Sequence, residues 1–223
     1  MATRMARAGA KSRAAGTTAD TTGSASDAIA ELIAAGRDFA ARNWVPATSG
    51  NLSRRIDAHR VAVTLSGRDK GALTAGDFAV IPLDKPLPPG VSAEAPLHVS
   101  LYRNDPAIGA VLHVHSLAAT LASQAHAAAG EIVLADYEML KALAGIATHA
   151  TRVTVPVFAN DQDVPALARR VEARLATLPG AVGYLIAGHG MYAWGRTMAE
   201  ARRHVEAFDF LLTCELEKGR LFR

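Results

Sequence analysis

Cysteine is almost absent from this 223-residue sequence, which contains only Cys214. A single cysteine excludes any disulfide within the chain, as expected of a protein in the reducing cytosol. No apolar run approaches the ~20 residues that a transmembrane helix needs, and no short apolar segment near the start is typical of a secretion signal. We therefore predict a soluble, cytoplasmic protein without a membrane partner.

An excess of basic charge is also missing from the main part of the chain. The formal net charge is +3, but four of the 24 basic residues and one of the 21 acidic residues lie within residues 1–26. The rest of the chain therefore carries 20 basic and 20 acidic side chains. A neutral body without a basic stripe is untypical of proteins that bind nucleic acid. We predict no nucleic-acid partner.

What the sequence does contain is hydrophobic periodicity, which starts at Ser26. Residues 1–25 lack it, so we predict a disordered extension there and one domain over residues 26–223. Helices are predicted over residues 26–42, 92–104, 116–128, 137–143, 164–175 and 197–217. Strands are predicted over residues 52–56, 61–66, 78–83, 108–115, 152–157, 182–186 and 191–194. This order indicates a single α/β or α+β domain built on one main sheet.

Two histidines, His113 and His115, end an apolar strand-like run over residues 107–112. Residues i and i+2 of a strand point to the same face, so the two imidazoles would project side by side. Neutral imidazoles are ligands that zinc accepts, although an isolated His-x-His is more often two ordinary, half-buried histidines near a strand end. His189, between Gly188 and Gly190, is the candidate third ligand, and it favours the metal site. Three histidines leave a fourth position open, as in catalytic zinc sites.

Several loops combine hydroxyl side chains with glycine, a composition suited to binding an anion through backbone N–H groups. The candidate positions are Ser49, Gly50 and Asn51 in one loop, Ser66 and Gly67 in a second, and Ser92 at a helix start, where the helix dipole adds to the attraction. Each signal alone is weak, because Ser-Gly turns are common. Lys70 could attract the same anion or could be a solvated surface charge.

Two carboxylates, Glu94 and Glu138, are candidates for proton transfer beside a bound metal. Glu94 lies in the first turn of the predicted helix 92–104. Glu138 stands three residues before Lys141, so it could equally form a surface ion pair. The sequence around Glu138 does not decide between a role in proton transfer and a surface ion pair.

Taken in order, these motifs resemble the class II aldolase/adducin family over about residues 27–218. The resemblance rests on the Ser-Gly-Asn loop, the Ser-Gly turn, the Ser-x-Glu at a helix start, the His-x-His pair and the later Gly-His-Gly. It implies a single-domain α/β fold with a central, mainly antiparallel sheet flanked by helices. It also implies a sugar-phosphate substrate and a homotetramer with sites near subunit interfaces.

The resemblance further assigns roles to the matching positions. His113, His115 and His189 would hold one Zn²⁺ per subunit. Glu138 would be the acid/base of the family's dehydratases, to which this chain is most similar. Glu94 matches the catalytic carboxylate of its aldolases. The positions matching the family's substrate- and phosphate-binding segments are Ser49, Gly50, Asn51, Ser66, Gly67, Lys70, Ser92 and Ser116.

One departure concerns Ala93, where the aldolases often have a second serine before the glutamate. One hydroxyl donor is lost, so direct aldolase activity is less well supported than dehydration. Aldolase or epimerase activity with the same enediolate chemistry is the alternative. A non-catalytic, adducin-like interaction domain is the third reading, but a scaffold has no physical need for three histidines and both carboxylates.

Overall fold

A computed structural model describes residues 24–221 of the chain. Residues 1–23 lie outside it, so most of the predicted extension over residues 1–25 does too. The helices are α1 (Ala25–Ala41), α2 (Ala95–Asn104), α3 (Leu117–Ala125), α4 (Val164–Leu175) and α5 (Met198–Leu221). The strands are β1 (Asn51–Arg55), β2 (Arg60–Thr64), β3 (Phe78–Pro82), β4 (Ala110–Val114), β5 (Glu131–Ala135), β6 (Arg152–Phe158), β7 (Gly183–Ile186) and β8 (Gly190–Gly195).

The eight strands form one sheet in the order β3-β2-β1-β4-β8-β7-β6-β5. Every neighbouring pair is antiparallel except β6 and β7, which are parallel. The predicted single α/β domain with a mainly antiparallel sheet is confirmed.

Helices cover both faces of this sheet. On one face α1, α3 and α5 pack over alternate strand residues such as Leu52, Leu112 and Ala193. On the other face α2 and α4 pack over Val111 and Tyr192. Since strand residues alternate between faces, β4 and β8 bury apolar side chains on both sides. Within residues 24–221, no helix is both long and apolar enough to cross a membrane.

Most element boundaries agree with the sequence within a few residues, but three segments differ. Helix α2 starts at Ala95 with Glu94 at its N-cap, rather than at Ser92. Residues 137–143 do not form an α-helix; a 3₁₀ helix spans Glu138–Ala142. Strand β5 was not predicted, because its five residues follow a helix closely and give too short a run to show a period.

The start of β8 is packed against the end of β4, and this contact generates a stability prediction. A Cβ atom on Gly190 would overlap the carbonyl oxygen of Val114 and lie 3.2 Å from the Cα atom of His115. Because both neighbours are backbone, relief requires the strands to separate. We expect Gly190→Ala to lower the free energy of unfolding by about 1–3 kcal/mol, measured by chemical denaturation.

Gly76→Ala is the matched control, since its new Cβ would approach only the Thr74 hydroxyl, at 3.9 Å. We expect that change to remain within about 0.5 kcal/mol of the parent protein. Equal stability of the two variants would contradict the close approach of β4 and β8.

Candidate metal centre and active site

The three predicted metal ligands come from β4, from the residue that directly follows it and from the turn between β7 and β8. His113 lies in β4, directly opposite Asn51 of β1 and Tyr192 of β8. His115 follows two residues later, and its backbone N–H donates to the carbonyl oxygen of Trp44. Helix α3 holds the turn that carries His189, because the hydroxyl of Thr120 donates to the His189 carbonyl oxygen at 3.1 Å.

The Nε2 atoms of the three imidazoles converge. That of His113 lies 2.9 Å from Nε2 of His115 and 3.2 Å from Nε2 of His189. The group as a whole offers ligand atoms within 4.8 Å of one another. Nδ1 of His113 donates to the carbonyl oxygen of Met191 at 2.9 Å. That bond puts the proton on Nδ1 and leaves the Nε2 lone pair free for a metal, the usual arrangement of a histidine ligand. The donor set therefore fits a divalent transition metal.

Burial favours the neutral, metal-binding form of His113 and His115. It lowers the pKa of His113, whose side chain is fully buried and stacks on Tyr192 with ring centroids 4.1 Å apart. Burial and the neighbouring His189 lower the pKa of His115 to about 4. Both rings are thus neutral at neutral pH, with one nitrogen free of a proton, as ligation requires.

Glu94 brings a carboxylate to the same point from the start of α2. Its Oε1 lies 3.0 Å from Nε2 of His189, and its Oε2 lies 3.3 Å from Nε2 of His113. The Asn51 amide donates to Oε2 at 2.5 Å. Burial opposes ionisation of Glu94, but the two imidazoles and the amide outweigh it and lower its pKa overall. Glu94 is therefore a carboxylate beside the metal-binding nitrogens.

The predicted anion-binding loops line a cavity of about 300 Å³ together with Glu94, His115 and His189. All but one of the predicted substrate-binding residues are in its wall: Ser49, Gly50, Asn51, Ser66, Gly67, Lys70 and Ser92. Gly50 adopts φ +75°, and a Cβ there would lie 2.6 Å from the His113 carbonyl oxygen. Glycine therefore lets this loop pass directly against the histidine strand.

Lys70 is not a solvated surface charge, since it is only 1% exposed. Its ammonium group donates to the carbonyl oxygens of Thr48 at 2.5 Å and Arg68 at 2.7 Å. Burial lowers its pKa, against the opposing effect of Asp69 and Glu94. An ammonium group has three N–H donors, so one remains for a ligand in the cavity.

Ser116 does not line the cavity. Its hydroxyl is fully buried and accepts a hydrogen bond from the backbone N–H of Ala119 at 3.2 Å, capping the N-terminus of α3. Ser116 therefore caps helix α3 and does not contact the cavity.

Glu138 also lies outside the cavity of its own chain. Its side chain is 71% exposed, forms an ion pair with Lys141 at 2.5 Å and lies 3.4 Å from Nδ1 of His149. The hydrogen bond from Lys141 lowers the pKa of Glu138. One copy of the chain thus brings together Glu94 and the histidines, but it does not bring Glu138 to them.

Two residues near the site were not identified from the sequence. His98 is fully buried, and its ring contacts both Asn51 and Ser53. The ring of Tyr192 stacks on the imidazole of His113. His98 stands one helical turn after Glu94, and that spacing was the available signal; nothing in the sequence marks Tyr192.

Comparison with known proteins identifies close relatives. The protein from Bradyrhizobium sp. (strain BTAi1 / ATCC BAA-1182) named methylthioribulose-1-phosphate dehydratase is 56% identical over 191 residues, covering 83% of this chain and 88% of that protein. The protein of the same name from Xylella fastidiosa (strain Temecula1 / ATCC 700964) is 52% identical over 189 residues, covering 83% and 86%.

Solved structures of lower identity share the fold. L-fuculose-1-phosphate aldolase from Thermus thermophilus superposes with a TM-score of 0.68 at 24% identity, over 88% of this chain and 96% of that one. A second L-fuculose 1-phosphate aldolase gives a TM-score of 0.74 at 22% identity, over 90% of each chain.

The family described as the class II aldolase and adducin N-terminal domain matches residues 30–216, most of the chain. The predicted resemblance is thereby confirmed. The chain belongs to the class II aldolase/adducin family.

Proposed function

We propose that this protein is a zinc-dependent dehydratase. It would convert 5-methylthioribulose 1-phosphate to 2,3-diketo-5-methylthiopentyl 1-phosphate and water, a step of methionine salvage in the cytoplasm. The names of relatives 52–56% identical over most of both chains support the reaction. The observation that carries the proposal is one cavity lined by His115 and His189, two of the three converging imidazoles, with an ionised carboxylate and hydroxyl-rich loops in the same wall.

His113, His115 and His189 would hold the metal through their Nε2 atoms. When bound, Zn²⁺ supplies Lewis-acid stabilisation of negative charge on a substrate carbonyl oxygen. Zinc is the metal we propose because three neutral imidazoles form a common catalytic zinc site.

The phosphate group would bind at the part of the wall formed by the loops at Ser49 and Ser66. The Ser49 hydroxyl is buried and has no hydrogen-bond partner within residues 24–221, so it can donate to a ligand. Lys70 adds a fixed positive charge and its remaining N–H. A phosphate held there is kept away from the reacting carbons and fixes the orientation of the substrate.

Dehydration requires two proton movements. A base removes the proton on C3, and the hydroxyl on C4 leaves with a proton, giving an enol that becomes the 2,3-diketone. We assign Glu138 as the base. Because Glu138 is exposed and remote from the cavity of its own chain, this role requires a second copy to place it there. We therefore propose a homotetramer with Glu138 acting at the site of a neighbouring copy.

The alternative is an aldolase or epimerase that breaks the C3–C4 bond. One observation favours it: Glu94, the carboxylate that resembles the aldolase base, lies in the cavity, whereas Glu138 does not. In that reaction the base would take the proton of the C4 hydroxyl instead of the C3 proton.

The first prediction from this proposed function concerns the reaction. We expect purified, zinc-loaded protein to convert 5-methylthioribulose 1-phosphate into a product lighter by one water, identified by mass spectrometry. Release of dihydroxyacetone phosphate and a methylthio-aldehyde would instead establish the aldolase.

The second prediction concerns the metal ligands. We expect His113→Ala and His115→Ala each to lose stoichiometric metal, because two imidazoles cannot replace three, and to lose turnover with it. Metal content is measured by elemental analysis beside activity. His59→Ala, at an exposed histidine of the β1–β2 turn, is the control and should retain both. A fully active, metal-free His113→Ala protein would contradict the assignment.

The third prediction concerns Glu138. Coexpressed Glu138→Gln and His113→Ala chains, each inactive alone, should regain activity in mixed oligomers purified through two different tags. In a random mixture roughly a quarter of the sites would combine intact histidines with an intact neighbouring glutamate.

Two results would count against this arrangement. If Glu138→Gln alone kept full activity, another group would have to be the base, and Glu94 would be the first candidate. Inactive mixtures of correctly assembled oligomers would mean that Glu138 does not act at a neighbour's site.

A further inference from the structure

A line of buried polar side chains runs between β1 and α2, behind Glu94. Asn51 and Ser53 are two residues apart on β1 and therefore share one face of the strand. Glu94, His98 and Tyr102 are each four residues apart and share one side of α2. Two strand residues span about 6.7 Å and four helical residues about 6 Å, so the two rows match in spacing.

These side chains form an unbroken chain of hydrogen bonds. The Asn51 amide nitrogen is bonded to Glu94, and its oxygen to Nε2 of His98. Nδ1 of His98 lies 2.6 Å from the Ser53 hydroxyl, which lies 3.0 Å from the hydroxyl of Tyr102. Asn51, Ser53 and His98 are buried, and Tyr102 is 1% exposed. Water therefore does not replace any of these partners.

The direction of every bond follows from the chemistry of the groups. Glu94 is a carboxylate and only accepts, so the NH₂ group of Asn51 must face it and the Asn51 oxygen must face His98. Burial lowers the pKa of His98 to about 4, so the ring is neutral and carries one proton. An amide oxygen only accepts, so that proton is on Nε2. Nδ1 then accepts from Ser53, and the Ser53 oxygen accepts from Tyr102.

The geometry points to His98 as a positioning residue for Glu94. By donating from Nε2 to the Asn51 oxygen, His98 fixes the orientation of the Asn51 amide and so keeps its NH₂ group on the carboxylate. The two orientations of an asparagine amide have nearly the same shape, so packing alone does not select one. A donor on the far side of Asn51 selects it. The flipped amide would place an oxygen against the Glu94 carboxylate and break two bonds.

The same hydrogen bonds limit how Asn51 can bind a ligand in the cavity. Its side-chain oxygen and one of its N–H groups are engaged within the wall, so the side chain supports Glu94 rather than being wholly available to a phosphate. Loss of His98 should therefore affect turnover more than substrate binding. The kinetic part of this inference rests on the proposed function and on Glu94 acting there as a catalytic carboxylate together with Glu138, while the hydrogen-bond polarity does not.

The first test is the protonation site of His98, observed by NMR of the unmodified protein with ¹⁵N-labelled histidine. Protonated and unprotonated ring nitrogens have well-separated chemical shifts, and the signals missing from His98→Gln identify His98 among the eight histidines. We expect the neutral form with the proton on Nε2. A proton on Nδ1, or a doubly protonated ring at neutral pH, overturns the inference whether or not the protein is a dehydratase.

The second test separates positioning from packing. We expect His98→Phe to lower kcat per bound metal ion by about 10–100-fold, with little change in KM. His98→Gln restores an N–H donor at the Nε2 position and should recover most of the loss.

The matched control is His204→Phe, which removes another buried histidine. Both of its ring nitrogens are hydrogen-bonded, to Trp194 and Ala144, away from the cavity. This variant should lose stability but retain kcat per metal ion. Full kcat in His98→Phe, or no recovery in a folded His98→Gln, overturns the positioning role. If the parent protein does not dehydrate the substrate, the proposed function fails and the NMR result alone decides the arrangement.

Discussion

The pairing of Asn51 with His113 across β1 and β4 is the contact on which the rest of the site depends. It places the amide that holds Glu94 beside the central imidazole, on the face of the sheet that α2 covers. A slip of β4 by one residue in this register would turn His113 to the opposite face from Asn51. Apolar residues on both faces of β4 make such a slip costly, because it would exchange Leu112 for His113 in the core between the sheet and α1.

Burial gives this cluster its chemical character. Imidazoles removed from water resist protonation and remain ligands, while a carboxylate removed from water needs donors to stay ionised. Glu94 obtains one from the Asn51 amide. Lys70 obtains backbone carbonyls in the same way. The cavity therefore holds fixed groups of both signs, and little reorganisation is needed when charge develops on a substrate.

Features that depend on local periodicity could be predicted from the sequence, and those that depend on long-range packing could not. The two-residue period of a strand was sufficient to place His113 beside His115. The glycines around His189 marked a turn, but only the pairing of β4 with β8 brings that turn to the pair. The burial of Lys70 was not predictable, since its carbonyl partners belong to loops whose approach the local sequence does not encode. The exposed ion pair of Glu138 with Lys141 was one of two interpretations that the sequence left open, and only the fold shows that this pair forms outside the cavity.

Glu94 lies in the cavity wall, whereas Glu138 is exposed. This difference affects how the reaction of such a fold can change. The groups proposed to hold a metal and to stabilise negative charge lie on β4 and directly after it, on the β7–β8 turn and at the start of α2. Buried hydrogen bonds connect the elements that carry them. Glu138 lies on an exposed 3₁₀ helix, where substitution disturbs no buried network. On the proposed assignment, the group that decides which bond breaks can therefore change without disturbing the groups that accept the electrons. The buried cluster would be retained across different reactions, while the exposed segment sets the reaction.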